Sequence, residues 1–87
     1  MTDLREMRNI GEAVAAELEA AGIADGEALI AAGAVGAALR LASAGFDVCR
    51  SKLGGLEGAI RGIRWNLIPK DDREGLWREL EGYRSKR

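Results

Sequence analysis

The chain has 87 residues, 47% hydrophobic and 31% charged, with 13 Lys and Arg against 14 Asp and Glu, 12 glycines, one cysteine and no histidine. That length holds one small domain, residues 1–87, with a modest core and no room for a second. Missing histidine removes Ser-His-Asp and Cys-His catalysis and His metal sites, the lone Cys49 removes intrachain disulfides, and the net charge of −1 argues against a dedicated polyanion binder.

Composition predicts an all-α chain: Ala, Leu, Glu and Arg dominate, Thr2 is the only threonine, and valine occurs only at 14, 35 and 48. The N-terminus, Met1 to Glu6, mixes charges of both signs, so no export signal is expected. Leu4 to Arg8 reads as a short first helix, ended by Asn9-Ile10-Gly11, in which Asn and Gly best tolerate positive φ. Glu12 to Ala21 is a second helix with Ala15, Leu18 and, past its end, Ile23 facing inward, and with Gly22 at the expected C′ position. Asp25 can cap a third, from Gly26 to Ala32, stopped by Gly33. Ala34 to Ala44 is a fourth, with Val35, Leu39 and Ala38 or Ala42 on the core side, stopped by Gly45. The apolar stretch across these two, Ala28 to Leu41, is broken by Gly33, Gly36 and Arg40 and is too short to cross a bilayer, so no membrane contact and a cytoplasmic location are expected. Cys49 is expected as a reduced, small filler in or near the core.

The longest helix is predicted over Val48 to Trp65, where Leu53, Leu56, Ile60 and Ile63 form one apolar stripe; Asn66 and Pro69 close it. A last helix runs from Lys70 to about Tyr83, with Asp71, Asp72 and Glu74 near its positive end and Leu76, Trp77, Leu80 and Tyr83 as burial candidates; Ser85 to Arg87 is a frayed end.

Charge divides unevenly. Residues 1–49 carry three basic and eight acidic side chains, a balance of −5, and residues 50–87 carry ten and six, a balance of +4. Arg50, Glu57, Arg61 and Arg64 fall on one stripe of the long helix, which reads either as a small basic surface or, preferred, as a solvated face with a Glu57–Arg61 pair. Gly54, Gly58 and Gly62, spaced by four, form a backbone groove for close packing by another helix of the same chain or, less favoured, for a dimer face. Trp65, Trp77 and Tyr83 read as core and rim anchors and not as a base-stacking platform, being few and without interleaved basic residues. The carboxylate pairs Asp71-Asp72 and Glu79/Glu81 lie on exposed helical turns and do not converge, so no catalytic residue, metal ligand or cofactor site is expected, and the chain is read as no enzyme.

The run Leu4, Met7, Asn9-Ile10-Gly11, Ala15, Leu18 resembles a helix-hairpin-helix motif, in which a Gly-apolar-Gly turn offers backbone amides to a DNA phosphate. Here Asn9 stands at the first glycine and Glu12 follows the second, which favours a packing role. The segment Leu56-Glu57-Gly58-Ala59-Ile60-Arg61-Gly62-Ile63-Arg64-Trp65-Asn66, then Ile68-Pro69 and Asp72-Arg73, resembles the signature helix of the TfoX C-terminal domain family. Arg8 to Gly11, Ala21-Gly22-Ile23 and Gly33-Ala34-Val35 extend that resemblance over nearly the whole chain, in a stand-alone version. It implies a compact all-α domain that starts with a helix-hairpin-helix-like turn, here five to six helices, and that occurs in TfoX/Sxy-type regulators of bacterial competence and DNA uptake. No catalytic residues are implied.

The first functional reading is a non-enzymatic TfoX-like regulatory domain acting through an unidentified protein partner. The alternative is non-specific duplex DNA binding through Asn9, Ile10, Gly11 and the cations Arg8, Arg50, Arg61 and Arg64. A homodimer through Gly54, Gly58 and Gly62 is a third.

Overall fold

The computed structural model describes residues 1–85; Lys86 and Arg87, expected in the frayed end, lie outside the described residues. The Asp3 carboxylate accepts the Arg5 amide at 2.9 Å and caps a single 3-10 turn, Leu4–Glu6. Extended Met7 and left-handed Asn9 (φ 68°) stop it there, so the first predicted helix is one turn long. Four α-helices follow among the described residues: α1 (Glu12–Ala20), α2 (Gly26–Ser43), α3 (Arg50–Arg61) and α4 (Lys70–Ser85), with a second 3-10 turn, Trp65–Leu67, before α4. No strand occurs among them.

The all-α expectation holds, but the helix number is four and not five to six. Besides the shortened first helix, the segments expected at Gly26–Ala32 and Ala34–Ala44 run on as α2, jointed at Gly33, whose φ of 75° and ψ of 165° no helix contains. Asp25 caps α2 as predicted, its Oδ1 accepting the Ala28 amide at 2.8 Å. The larger correction concerns α3, which spans Arg50–Arg61 and not Val48–Trp65. Gly62 is left-handed (φ 75°), the Ile63 amide returns to the Gly58 carbonyl at 2.9 Å, and the chain turns away. The same closure ends α1, where Gly22 is left-handed and the Ile23 amide reaches the Leu18 carbonyl at 2.8 Å, and α2, where Gly45 is left-handed and Phe46 reaches Leu41 at 2.9 Å. A left-handed glycine followed by an apolar residue thus stops three helices in one way.

Helix α2 is the central element, packed against α1, α3 and α4. Leu4, Leu18, Ile23, Leu29, Leu41, Leu53, Leu56, Ile68 and Leu80 are fully buried, which by area is the main favourable term in folding. The radius of gyration, 11.8 Å, is close to the roughly 12 Å of a compact domain of this length. By length and composition α2 could cross a membrane, yet Leu29, Val35, Ala37, Ala38 and Leu41 are buried against the other helices. Of the stripe predicted on the long helix, Leu53 and Leu56 are buried, Ile60 is half-buried and Ile63 lies beyond the helix. Cys49 is exposed at the N-cap of α3 instead of filling the core. Tyr83 and Trp65, predicted anchors, are 51% and 44% exposed.

The N-terminal segment is clamped onto the start of α2. Thr2 donates its amide and hydroxyl to the Glu27 carboxylate at 2.8 and 2.9 Å, and its carbonyl accepts the Gly26 amide at 2.8 Å. A Cβ at Gly26 would lie 3.0 Å from the Met7 sulfur and 3.1 Å from Thr2 Cβ, so both side chains would have to give way by a few tenths of an ångström.

Candidate functional site

Asn9 joins the two halves of the chain. Its left-handed backbone, which glycine supplies in the hairpin motif, turns its amide toward the segment leaving α3: Nδ2 donates to the Ile63 carbonyl at 3.0 Å and Oδ1 accepts the Trp65 amide at 3.3 Å. The side chain therefore replaces a backbone partner for a stretch that has left its helix. This contact needs Gly58, where a Cβ would lie 2.5 Å from Asn9 Nδ2 and 2.8 Å from the Ile63 carbonyl oxygen. Gly55 lies under Asn9 as well, and Gly54 lies under Trp65 and Arg73. Two members of the predicted glycine stripe, Gly54 and Gly58, are thus covered by their own chain, while Gly62 is the exposed helix stop.

The basic stripe predicted for one helix face is split. Arg61 pairs with Glu57 at 2.6 Å, as expected at i,i+4, and with Asp72 at 3.2 Å; hydrogen bonding to Glu57 raises its pKa. Arg50 pairs with Glu74 at 2.9 Å, which lowers the Glu74 pKa, and its guanidinium carbon stands 4.9 Å from the Trp77 ring centre. Arg64, placed outside α3 by the turn at Gly62, lies beside Arg8 instead. Together with Asn9, Trp65 and Asn66 they line a shallow depression, and neither Arg8 nor Arg64 makes an ion pair among the described residues.

Trp65 also lines a second, more enclosed cleft of about 150 Å³ between α3 and α4. Leu53 is its buried floor, Trp65 and Trp77 stand in its walls, and Arg50, Lys70, Arg73 and Glu74 form its rim. The Arg73 guanidinium carbon is 5.4 Å from the Trp65 ring centre, and its Nε donates to the Ile68 carbonyl at 3.2 Å. Each tryptophan thus carries an arginine, an interleaving that folding creates and that the linear order of residues hides. Lys70, Arg73 and Trp77 escaped the sequence reading as a group, although their i, i+3, i+7 spacing places them on one helix face.

The hairpin turn offers a different surface. Ile10 is buried, and Gly11 is the N-cap of α1. Arg5 bridges Glu12, the first residue of α1, and Glu19, near its last, at 2.8 and 3.1 Å. These hydrogen bonds raise the Arg5 pKa, Glu19 contributing most, and the Arg5 contact lowers that of Glu19. A third surface, open and more apolar than polar, lies between α2 beyond its Gly33 joint and α4, where Ala32, Val35, Leu39, Leu76, Glu79 and Tyr83 meet. Among the described residues no cluster of three or more Cys, Asp or Glu side chains is placed to hold a metal ion.

Two solved structures are similar to this fold. An uncharacterised protein from Listeria monocytogenes, in a triclinic crystal form, is 33% identical with a TM-score of 0.85, covering 93% of this chain and 92% of that one. A protein of unknown function from Listeria monocytogenes, in a tetragonal form, is 34% identical with a TM-score of 0.83, covering 92% and 98%. No curated protein matches the chain. The TfoX C-terminal domain matches residues 1–80, taking in the Asn9 seam, the closure of α3 and both tryptophans. The chain belongs to the TfoX C-terminal domain family.

Proposed function

We propose that the chain is a non-enzymatic regulatory interaction domain of the TfoX type, working in the bacterial cytoplasm through a protein partner and linked to competence or DNA uptake. The observation that supports it most is the apolar surface between α2 and α4. Leu39 and Leu76 are only half-buried there, and Tyr83 is 51% exposed beside them. An aromatic ring at the edge of an apolar depression suits a partner's side chain better than it suits water. Family membership adds to this.

The alternative, duplex DNA gripped by the hairpin turn, draws less support. Glu12, the first residue of α1, stands where a phosphate would approach the helix start, and Arg5 is already committed to it and to Glu19 near the other end of the helix. The test is affinity capture from bacterial extract with the wild type and Tyr83→Arg, a change at an exposed position that spares the core. The wild type is expected to recover a specific partner that Tyr83→Arg loses, with the thermal midpoints unchanged. Recovery of nothing beyond the background of an unrelated helical domain, or of the same partner by both forms, removes the reading.

A further inference from the structure

We infer that the face centred on Trp65 binds single-stranded nucleic acid, with bases on the tryptophan–arginine stacks and phosphates on the surrounding cations. Trp65 is 44% exposed and lines both neighbouring recesses, the Arg8–Arg64 depression and the Trp77 cleft. Five cations, Arg8, Arg50, Arg64, Lys70 and Arg73, border this face against one carboxylate, Glu74, which Arg50 already neutralises. Asp72 is held by Arg61, and Asp71 lies off the helix face that carries Lys70, Arg73 and Trp77. A chain with a net charge of −1 therefore gathers a local positive patch where its tryptophans stand.

Aromatic rings and guanidinium planes are the two side-chain surfaces on which unpaired bases stack, and here they occur in contact, Arg73 on Trp65 and Arg50 on Trp77. The cleft between them, about 150 Å³ over the Leu53 floor, admits one flat ring and not a double helix. A duplex keeps its base faces stacked inside and would meet only the cations, leaving the indoles unused. An acidic polypeptide would satisfy the cations but offers no regular series of flat rings to two indoles. Single strands use both features, and the two recesses that share Trp65 extend the contact beyond one nucleotide. This inference is independent of the protein-partner reading, whose surface lies on the α2 side of α4.

The experiment is fluorescence anisotropy of an end-labelled oligothymidylate titrated with the full chain at low and moderate salt, with a duplex and poly-glutamate as competitors. Binding is expected at low salt and should weaken as salt rises, with a log–log slope of about −0.7 for each phosphate contacted. Trp65→Ala should lose roughly 5- to 100-fold in affinity while Trp65→Phe, which keeps a ring, retains most of it. Lys70→Glu should weaken binding and flatten the slope, whereas Arg40→Glu, the same charge change beside the Leu39–Ser43 surface, and Tyr83→Arg should leave it unchanged. Circular dichroism confirms that each variant is folded. No anisotropy change at low salt overturns the inference, as does competition by duplex or poly-glutamate equal to that of unlabelled single strand. Wild-type affinity in folded Trp65→Ala overturns it too.

Discussion

Arg5 and Arg73 both stand beside turns, yet their surroundings are opposite. Arg5 lies between Glu12 and Glu19 in the acidic half of the chain and is consumed by them. Arg73, in the basic half, lies over Trp65, and among the described residues its guanidinium donates to the Ile68 carbonyl and to no carboxylate. The contrast extends to their neighbours. In the hairpin half Glu17 is held by Lys52 at 2.7 Å and Glu27 by Thr2, so charge is spent on holding the chain together. Around Trp65, Arg8, Arg64 and Lys70 make no ion pair among the described residues. A charge with an internal partner secures the fold, and one without a partner is open to a ligand; net charge cannot distinguish the two.

The seam at Asn9 holds these regions together, and the sharpest way to break it is Gly58→Ala. The added methyl must displace Asn9 and the backbone at Ile63 at once, so a loss of about 1–3 kcal/mol is expected in urea unfolding, despite alanine's better helix propensity. Asn9→Ala should cost about 2 kcal/mol, because it removes two hydrogen bonds and places an unsuited residue at φ 68°. Asn9→Gly keeps the backbone conformation and should recover roughly half of that; equal losses for the two variants would show that only the side-chain bonds matter. Gly82→Ala, in exposed α4 with open space around it, should do the reverse and stabilise by about 0.5–1 kcal/mol without affecting the seam.

Acid should weaken both regions gently. Glu19, Glu27 and Glu74 have pKa values lowered in the folded chain by hydrogen bonds from Arg5, Thr2 and Arg50 respectively. A lowered folded pKa means stability present above the ordinary value of 4.5 and lost as pH falls through the folded pKa. Unfolding midpoints should therefore be level near neutrality and decline below about pH 4.5, and Glu27→Gln should shrink that decline. A decline starting well above pH 5 would point to other groups.

Much of this architecture could be read from residue order. The helix content, Asp25 as a cap, Gly22 and Gly45 as stops and Leu18, Leu53, Leu56 and Leu80 as core follow from local rules of capping and periodicity, which act within a few residues. Even the error at α3 had a local signal. Arg61-Gly62-Ile63 repeats the pattern of Ala21-Gly22-Ile23 and Ala44-Gly45-Phe46, but an apolar spacing that continued to Ile63 masked it.

The site was legible only in part: Arg8, Asn9, Arg50 and Arg64 stand out as candidates in the sequence, but their grouping with the tryptophans, Lys70 and Arg73 does not. Arg8 and Arg64 are 56 positions apart, and both the Asn9 contact that joins their segments and the pairing of each tryptophan with an arginine exist only after α3 turns at Gly62 and α4 packs back on it. The sequence by itself determined which segments are helical, where most of them stop and which leucines are buried, because those outcomes depend on neighbours along the chain. Only the tertiary structure decided which charges are neutralised and which stand free beside a ring, because Coulomb and stacking interactions act over a few ångströms of space regardless of separation in sequence.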